Sequence, residues 1–276
     1  MRSILQSVLR ALRAKPGQQG PAETALGPLD PELLALRDAA LSGWFQVDSN
    51  ELFRGFALSA EDVVLDIGCG DGGNAQFCAK SGAALILADI DAATLGTAVR
   101  RVADASGQPV RAFVTDSNPL PLRDGTVSAL ICTEVIEHVD DPVSFLAELV
   151  RVGRPGARYL LTVPDPIIEE LQTFCAAPAY FERPNHLRIL QRDEFAGMVT
   201  AAGLEIEQRD SYGSYWSIWW LLAWAAGEHW PDDLQPMVKP WSRTWNAILD
   251  TPRGRELKRV LDDMIPKSQL ILARKP

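Results

Sequence analysis

From residue 62 onward the apolar positions come in short unbroken blocks, and the stretches between them carry helical spacing. "DVVLDIG" (62–68) reads as a buried strand running into glycine, and "NAQFCAKSG" after it as a helix. "ALILADI" (84–90), "VRAFVTD" (110–116), "TVSALICTE" (126–134) and "ARYLLTVP" (157–164) repeat the strand pattern. Between them "AATLGTAVRRVADASG" and "PVSFLAELVRVGRPG" read as helices, the second ended by Pro155 and Gly156. A helix "RDEFAGMVTAAG", a sixth strand "LEIEQRDSY" and a last strand "SQLILAR" (268–274) follow. Strands that alternate with helices predict an α/β fold with a parallel, doubly wound sheet.

Two segments fall outside this rhythm. "MRSILQSVLRALRAK" is a basic amphipathic stretch, with Ile4, Leu5, Val8, Leu9 and Leu12 on one face, and "KPGQQGPAE" after it reads as a linker. It lacks the continuous apolar core and small-residue cleavage site of a secretory signal. Near the other end, Trp216, Trp219, Trp220, Trp224, Trp230, Trp241 and Trp245 crowd seven of the eight tryptophans between the last two strands. The expected organisation is an amphipathic segment over 1–20, an N-terminal helical cap over 21–55 and a core over 56–213. A tryptophan-rich helical insertion over 214–266 and a final strand over 267–276 complete it.

Composition narrows the function classes. A net charge of −9 over 276 residues argues against a nucleic-acid binder, because phosphate contacts need clustered lysine and arginine. Cys69, Cys78, Cys132 and Cys175 are scattered without zinc spacing, as expected of reduced thiols in a cytoplasmic protein.

The chemistry gathers at the strand ends. "DIGCGDGGN" sets Gly68, Gly70 and Gly73 in the spacing of a dinucleotide loop, with Asp89 about twenty residues on. Asp66 weighs against a dinucleotide, since its carboxylate would face a pyrophosphate. S-adenosylmethionine (SAM) has no phosphate and carries an ammonium and a sulfonium, which suit an acidic loop. Asp89 can then accept from the ribose hydroxyls.

"VVLDIGCGDGG", "LADID" and "VTDSNPLPLRDGTVSALICTEVIEHVDDP", in that order, resemble the class I SAM-dependent methyltransferases over roughly residues 50–210. The resemblance implies a Rossmann-like, seven-stranded, mostly parallel sheet whose antiparallel strand is "SQLILAR", with a helical substrate cap. It also implies that Asp66, Gly68 and Gly70 form the methionine-side loop, that Asp89 takes the ribose and that Ile90 lies against the adenine. Asp116 and Ser117 would sit beside the adenine amino group, with Thr133 and Glu134 under the methyl donor.

In "CTEVIEHVDD", Glu134, Glu137 and His138 are spaced so that a helix starting there would place all three on one face. Glu137 and His138 are expected to open that helix. Ubiquinone-pathway O-methyltransferases are similar at this motif. RNA 3′-end 2′-O-methyltransferases use two glutamates and a histidine at this spacing with a later histidine, here matched by His186 in "RPNHLRIL". The resemblance thus implies a divalent Mg, Mn or Zn ion on Glu134, Glu137, His138 and His186. The same residues admit a metal-free reading, with His138 or His186 as general base and Glu134 beside the methyl group. A third has no base at all, because proximity supplies much of the rate.

The tryptophan stripe admits a packed helix, a cap selecting a bulky apolar acceptor, or an interfacial patch that makes the protein membrane-peripheral and its substrate lipid-like. Trp44 and Phe45 either close over the cofactor or belong to the core. The sequence therefore predicts methyl transfer to oxygen of a small or lipid-like molecule. An RNA-end 2′-O-methyltransferase, a non-catalytic SAM-binding subunit and an NAD(P)-dependent dehydrogenase are the alternatives.

Overall fold

The structure is a computed structural model and describes residues 31–107, 110–226 and 235–276. The amphipathic segment over 1–20, residues 21–30 and the stretch around Trp230 lie outside the described residues.

The chain enters through α1 (Pro31–Ser42) and then forms β1 (Trp44–Gln46), β2 (Glu51–Phe53) and β3 (Phe56–Ala57). These three short strands make an antiparallel sheet of their own. The N-terminal cap expected to be helical is thus helical only as far as Ser42. Its second half turns apolar residues inward: Trp44, Leu52, Phe53 and Phe56 are buried against Val64, Ile131, Leu160 and Leu272 of the large sheet. Trp44 and Phe45 are accordingly packing residues of this layer, in ring contact with Phe53 and Phe77 respectively.

The alternating elements follow as β4 (Val63–Ile67), α2 (Gly73–Cys78), β5 (Ala84–Asp89), α3 (Ala92–Ser106), β6 (Arg111–Val114) and β7 (Val127–Thr133). Then come α4 (Pro142–Val152), β8 (Gly153–Pro164), α5 (Pro166–Gln172), α6 (Arg192–Ala201) and β9 (Glu205–Tyr212). α7 (Ser214–Ala225), α8 (Gln235–Leu249), α9 (Gly254–Met264) and β10 (Ser268–Arg274) complete the chain. α4 stops at Val152, short of Pro155 and Gly156, because Gly153 already takes extended backbone and begins β8.

The seven-stranded sheet runs β6-β5-β4-β7-β8-β10-β9. β4 to β8 are parallel where they pair, and β10 lies antiparallel between β8 and β9. The chain moves outward from β4 to β6 and then returns to β7, so the order reverses between β4 and β7. That reversal opens a crevice at the carboxyl ends, the usual ligand seat of an open α/β sheet. The apolar runs of the central strands are explained by burial on both faces. Leu65, Leu130 and Leu161 meet Phe145, Leu149, Phe195 and Val199 on one side, while Val64, Ile131 and Leu160 face the small sheet on the other.

The cap has a core of its own. Leu34 of α1 packs with Tyr215 of α7 and with Trp245 and Leu249 of α8, flanked by Trp216, Trp219 and Trp241. Inside it the Lys258 ammonium lies 3.0 Å from Asp38 and 2.8 Å from Asp262, all three residues buried. Trp245 Nε1 donates to Asp38 at 2.8 Å. Much of the tryptophan stripe is therefore packing. No helix among the described residues is long and apolar enough to cross a membrane. All four cysteines are unpaired, with Cys175 exposed and the others buried.

Candidate functional site

The glycine loop after β4 is shaped by what cannot fit there. Gly68 has φ +65°, and a Cβ on it would collide with Val135 Cγ2, whereas Gly70, φ +53°, faces open space. Left-handed backbone of this kind is cheap only for glycine. Gly70 donates to Asp89 Oδ2 at 2.9 Å, which ties the loop to the end of β5. Asp89 Oδ1 accepts from Asp91.

Asp66 is buried beneath this loop. Its carboxyl is pushed up to about 7, first by burial, and further by the nearby charge of Asp89, against a backbone hydrogen bond from Ala75. Oδ2 has no partner. A buried carboxylate oxygen left open is costly unless a ligand donor or cation meets it, and this is the observation by which the loop fits an ammonium-bearing cofactor.

A cavity of about 460 Å³ continues from the loop and is bounded by Gly68, Asp89, Ile90, Asp116, Ser117 and His138. Ile90 is 73% exposed and offers it an apolar face. Ser117 is buried with φ +68°, a strained backbone of the kind that gathers at functional sites. The structure thus brings Gly68, Asp89, Ile90, Asp116 and Ser117 around one cavity. Asp66 and Gly70 flank it, and Thr133 stands apart, accepting a hydrogen bond from Asn74.

"EVIEH" is not a helix. Residues 135–138 form a turn closed by His138 N–H to Val135 O at 2.9 Å, and α4 begins only at Pro142, capped by Asp141. Glu134 has φ +56°. This left-handed backbone breaks the helical geometry, so the single helical face expected for Glu134, Glu137 and His138 does not form. Glu134 Oε1 accepts from Thr162 at 2.9 Å and Oε2 meets the Lys267 ammonium at 2.8 Å. Burial opposes its ionisation, but Lys267 and Thr162 outweigh burial and hold the carboxyl below its usual range.

Glu137, His138 and His186 do converge, with one ligand atom from each within 4.8 Å of the others. Glu137 is buried and neither of its oxygens has a hydrogen-bond partner. Burial, then the Glu134 charge, pushes it well above the usual carboxylate range. His138 Nδ1 lies 3.3 Å from Pro184 O, leaving Nε2 facing Glu137 Oε1 at 3.6 Å. Burial, then the neighbouring His186, lowers its pKa. His186 Nδ1 lies 2.7 Å from Glu169 Oε2, so its Nε2 is likewise the nitrogen left for the cluster. Arg188 clamps the turn by donating to the carbonyls of Ile136, Val139 and Asp140.

Glu169, Lys267 and Tyr180 were not expected from the sequence. "DPIIEEL" does carry a local signal for Glu169. Asp165 caps α5 by accepting from Ile167, and Pro166 suits the first turn, which fixes where the fifth residue points. Tyr180 packs its ring 4.4 Å from His186, and Trp224 Nε1 of α7 donates to Gln172 of α5 at 2.9 Å.

Residues 65–161 match the family described as a methyltransferase domain. A protein named "Probable S-adenosylmethionine-dependent methyltransferase" of Mycolicibacterium smegmatis is 33% identical over 146 residues, 52% of each chain. The ubiquinone biosynthesis O-methyltransferase of Rhizobium etli is 31% identical over 157 residues, 53% of this chain and 61% of its own. Among solved structures, geranyl diphosphate methyltransferase in complex with SAM shares the fold with a TM-score of 0.53 at 19% identity, covering 79% of this chain and 80% of its own. The chain thus spans roughly half to three-fifths of these two curated relatives. With the switch-point crevice and open acidic loop already described, residues 65–161 are thus similar to the methyltransferase domain family, and the relatives that match this part of the chain are SAM-dependent methyltransferases.

Proposed function

We propose that this chain transfers the methyl group of SAM to an oxygen of a small, hydroxyl-bearing molecule. The observation that carries the reading is the convergence of His138 and His186 on the buried Glu137 carboxyl, whose oxygens have no hydrogen-bond partner, with His138 lining the cavity beside the glycine loop. The resemblance to a ubiquinone biosynthesis O-methyltransferase supports oxygen as the acceptor.

Bound SAM supplies an electrophilic methyl carbon on a sulfonium. Asp66 would answer its ammonium, Asp89 its ribose, and Ile90 its adenine face, with Asp116 and Ser117 at the adenine edge. His186 Nε2 is free to take the acceptor's hydroxyl proton as the oxygen–carbon bond forms and the carbon–sulfur bond breaks. Holding the two reactants in line contributes much of the rate.

Glu137, His138 and His186 also fit a divalent ion. They offer a buried, open carboxylate and two imidazoles whose other nitrogens are engaged by a carbonyl and a carboxylate, the outer arrangement usual for metal-ligating histidine. Such an ion, when bound, would lower the pKa of an acceptor hydroxyl. Glu134, engaged with Lys267, is not part of this set.

The test is calorimetric titration of SAM into EDTA-treated protein, repeated with Mg, Mn and Zn, followed by transfer of labelled methyl to a panel of small hydroxylated compounds. SAM binding with label recovered as methyl ether is the expected result. No SAM binding in any condition would overturn the reading.

A further inference from the structure

Glu169 is placed one turn into α5 and is buried. Every partner the structure gives its carboxylate can donate. Tyr180 Oη and Gln172 Nε2 both reach Oε1 at 2.9 Å, and His186 Nδ1 lies 2.7 Å from Oε2. An ionised carboxylate can only accept, so a neutral His186 beside it must carry its proton on Nδ1 and keep a lone pair on Nε2.

The ring has little freedom to escape this pairing. It is packed between Tyr180, at 4.4 Å, and His138, at 4.9 Å between centroids. Its backbone N–H donates to Tyr180 O and the next N–H donates to Glu137 O. Gln172, which orients Oε1, is itself held by Trp224 from α7. A flipped imidazole would break the 2.7 Å contact with Glu169.

We infer that Glu169 is a positioning residue: it fixes His186 as the Nδ1–H tautomer and keeps the Nε2 lone pair free for an acceptor hydroxyl. The inference rests on the reading that His186 acts on the acceptor oxygen, but its test reads the imidazole alone.

The chain has three histidines, so the full-length protein labelled with 15N-histidine gives three ring systems, and a His186→Gln variant assigns the one that matters. Spectra are taken on metal-free protein at a pH where the ring is neutral. The expected result is an Nδ1–H signature for His186 in the wild type. Glu169→Gln should move the tautomer ratio by about tenfold or more toward Nε2–H, the scale of one charge-assisted hydrogen bond. Glu169→Asp should restore part of the shift, and unchanged SAM affinity in the variants would show the cofactor site intact. An Nε2–H signature in the wild type overturns the inference without any variant. So does an unchanged His186 spectrum in Glu169→Gln. Failure of SAM to bind at all would instead count against the methyltransferase reading and leave the tautomer result standing.

Discussion

Glu134 and Lys267 meet at 2.8 Å although 133 positions separate them in sequence, and their pairing takes Glu134 out of the cluster formed by Glu137, His138 and His186. Burial lowers the readiness of Lys267 to stay charged, but Glu134, then Glu169 and Glu137, raise its pKa overall. The ammonium is therefore a resident cation among three carboxylates.

Lys267→Met should act in two opposite directions. Loss of the pair should cost about 1–3 kcal/mol, below the range for a fully buried pair because Glu134 is partly exposed. The freed Glu134 should at the same time tighten divalent-cation binding. Thermal melting reads the first effect and calorimetry with Mn the second. Unchanged cation affinity would show that Lys267 does not compete for the site.

Asp66 should make both stability and SAM binding pH-dependent. Its folded value of about 7 lies above the ordinary 3.8. The stability it contributes to the cofactor-free protein is full below about pH 4 and lost as pH rises through 7. SAM affinity should run the other way, because the ammonium favours the ionised carboxylate, with a proton released on binding below pH 7. Melting temperature and calorimetry from pH 5 to 8 measure the two trends, and Asp66→Asn should flatten both.

The two loop glycines should separate folding from binding. Gly68→Ala combines left-handed strain with a collision against Val135 and should cost about 2–4 kcal/mol. Gly70→Ala carries the strain alone, about 1 kcal/mol, but places a methyl in the space facing the cofactor loop. Urea unfolding should rank Gly68→Ala as the less stable, while SAM titration should show Gly70→Ala to be folded and weak in binding.

Lys258→Met should leave Asp38 and Asp262 buried without their cation, at a cost of about 3–5 kcal/mol. Adding Asp38→Asn and Asp262→Asn to the same chain should return a large part of that loss. Chemical denaturation followed by tryptophan fluorescence is the measurement. A triple variant no better than Lys258→Met alone would mean that the cap core fails for reasons of packing and not of charge.

The sheet was legible because its central strands are buried on both faces and so write continuous apolar runs. "SQLILAR" is extended over its full predicted length, Ser268–Arg274. The small sheet over 44–57 was not legible, since strands of two or three residues carry no period. That Gly68, Asp89 and Ile90 meet around one cavity could be read from local spacing at the ends of β4 and β5. The acidic motif could not, because one left-handed residue, Glu134, breaks the helical geometry on which its spacing argument rests. The capping signal in "DPIIEEL" fixes where Glu169 sits in α5, but only the fold of 178–190 over α5 shows that it is buried beside an imidazole.

β9 joins the large sheet only through β10, which follows it in the chain after α7, α8 and α9. A chain cut before residue 268 would leave β8 as a bare edge, the kind of edge that recruits other strands, and β9 without its partner strand. The strands on either side of the glycine loop would keep all of their pairings, so such a truncation should cost solubility before it costs the loop.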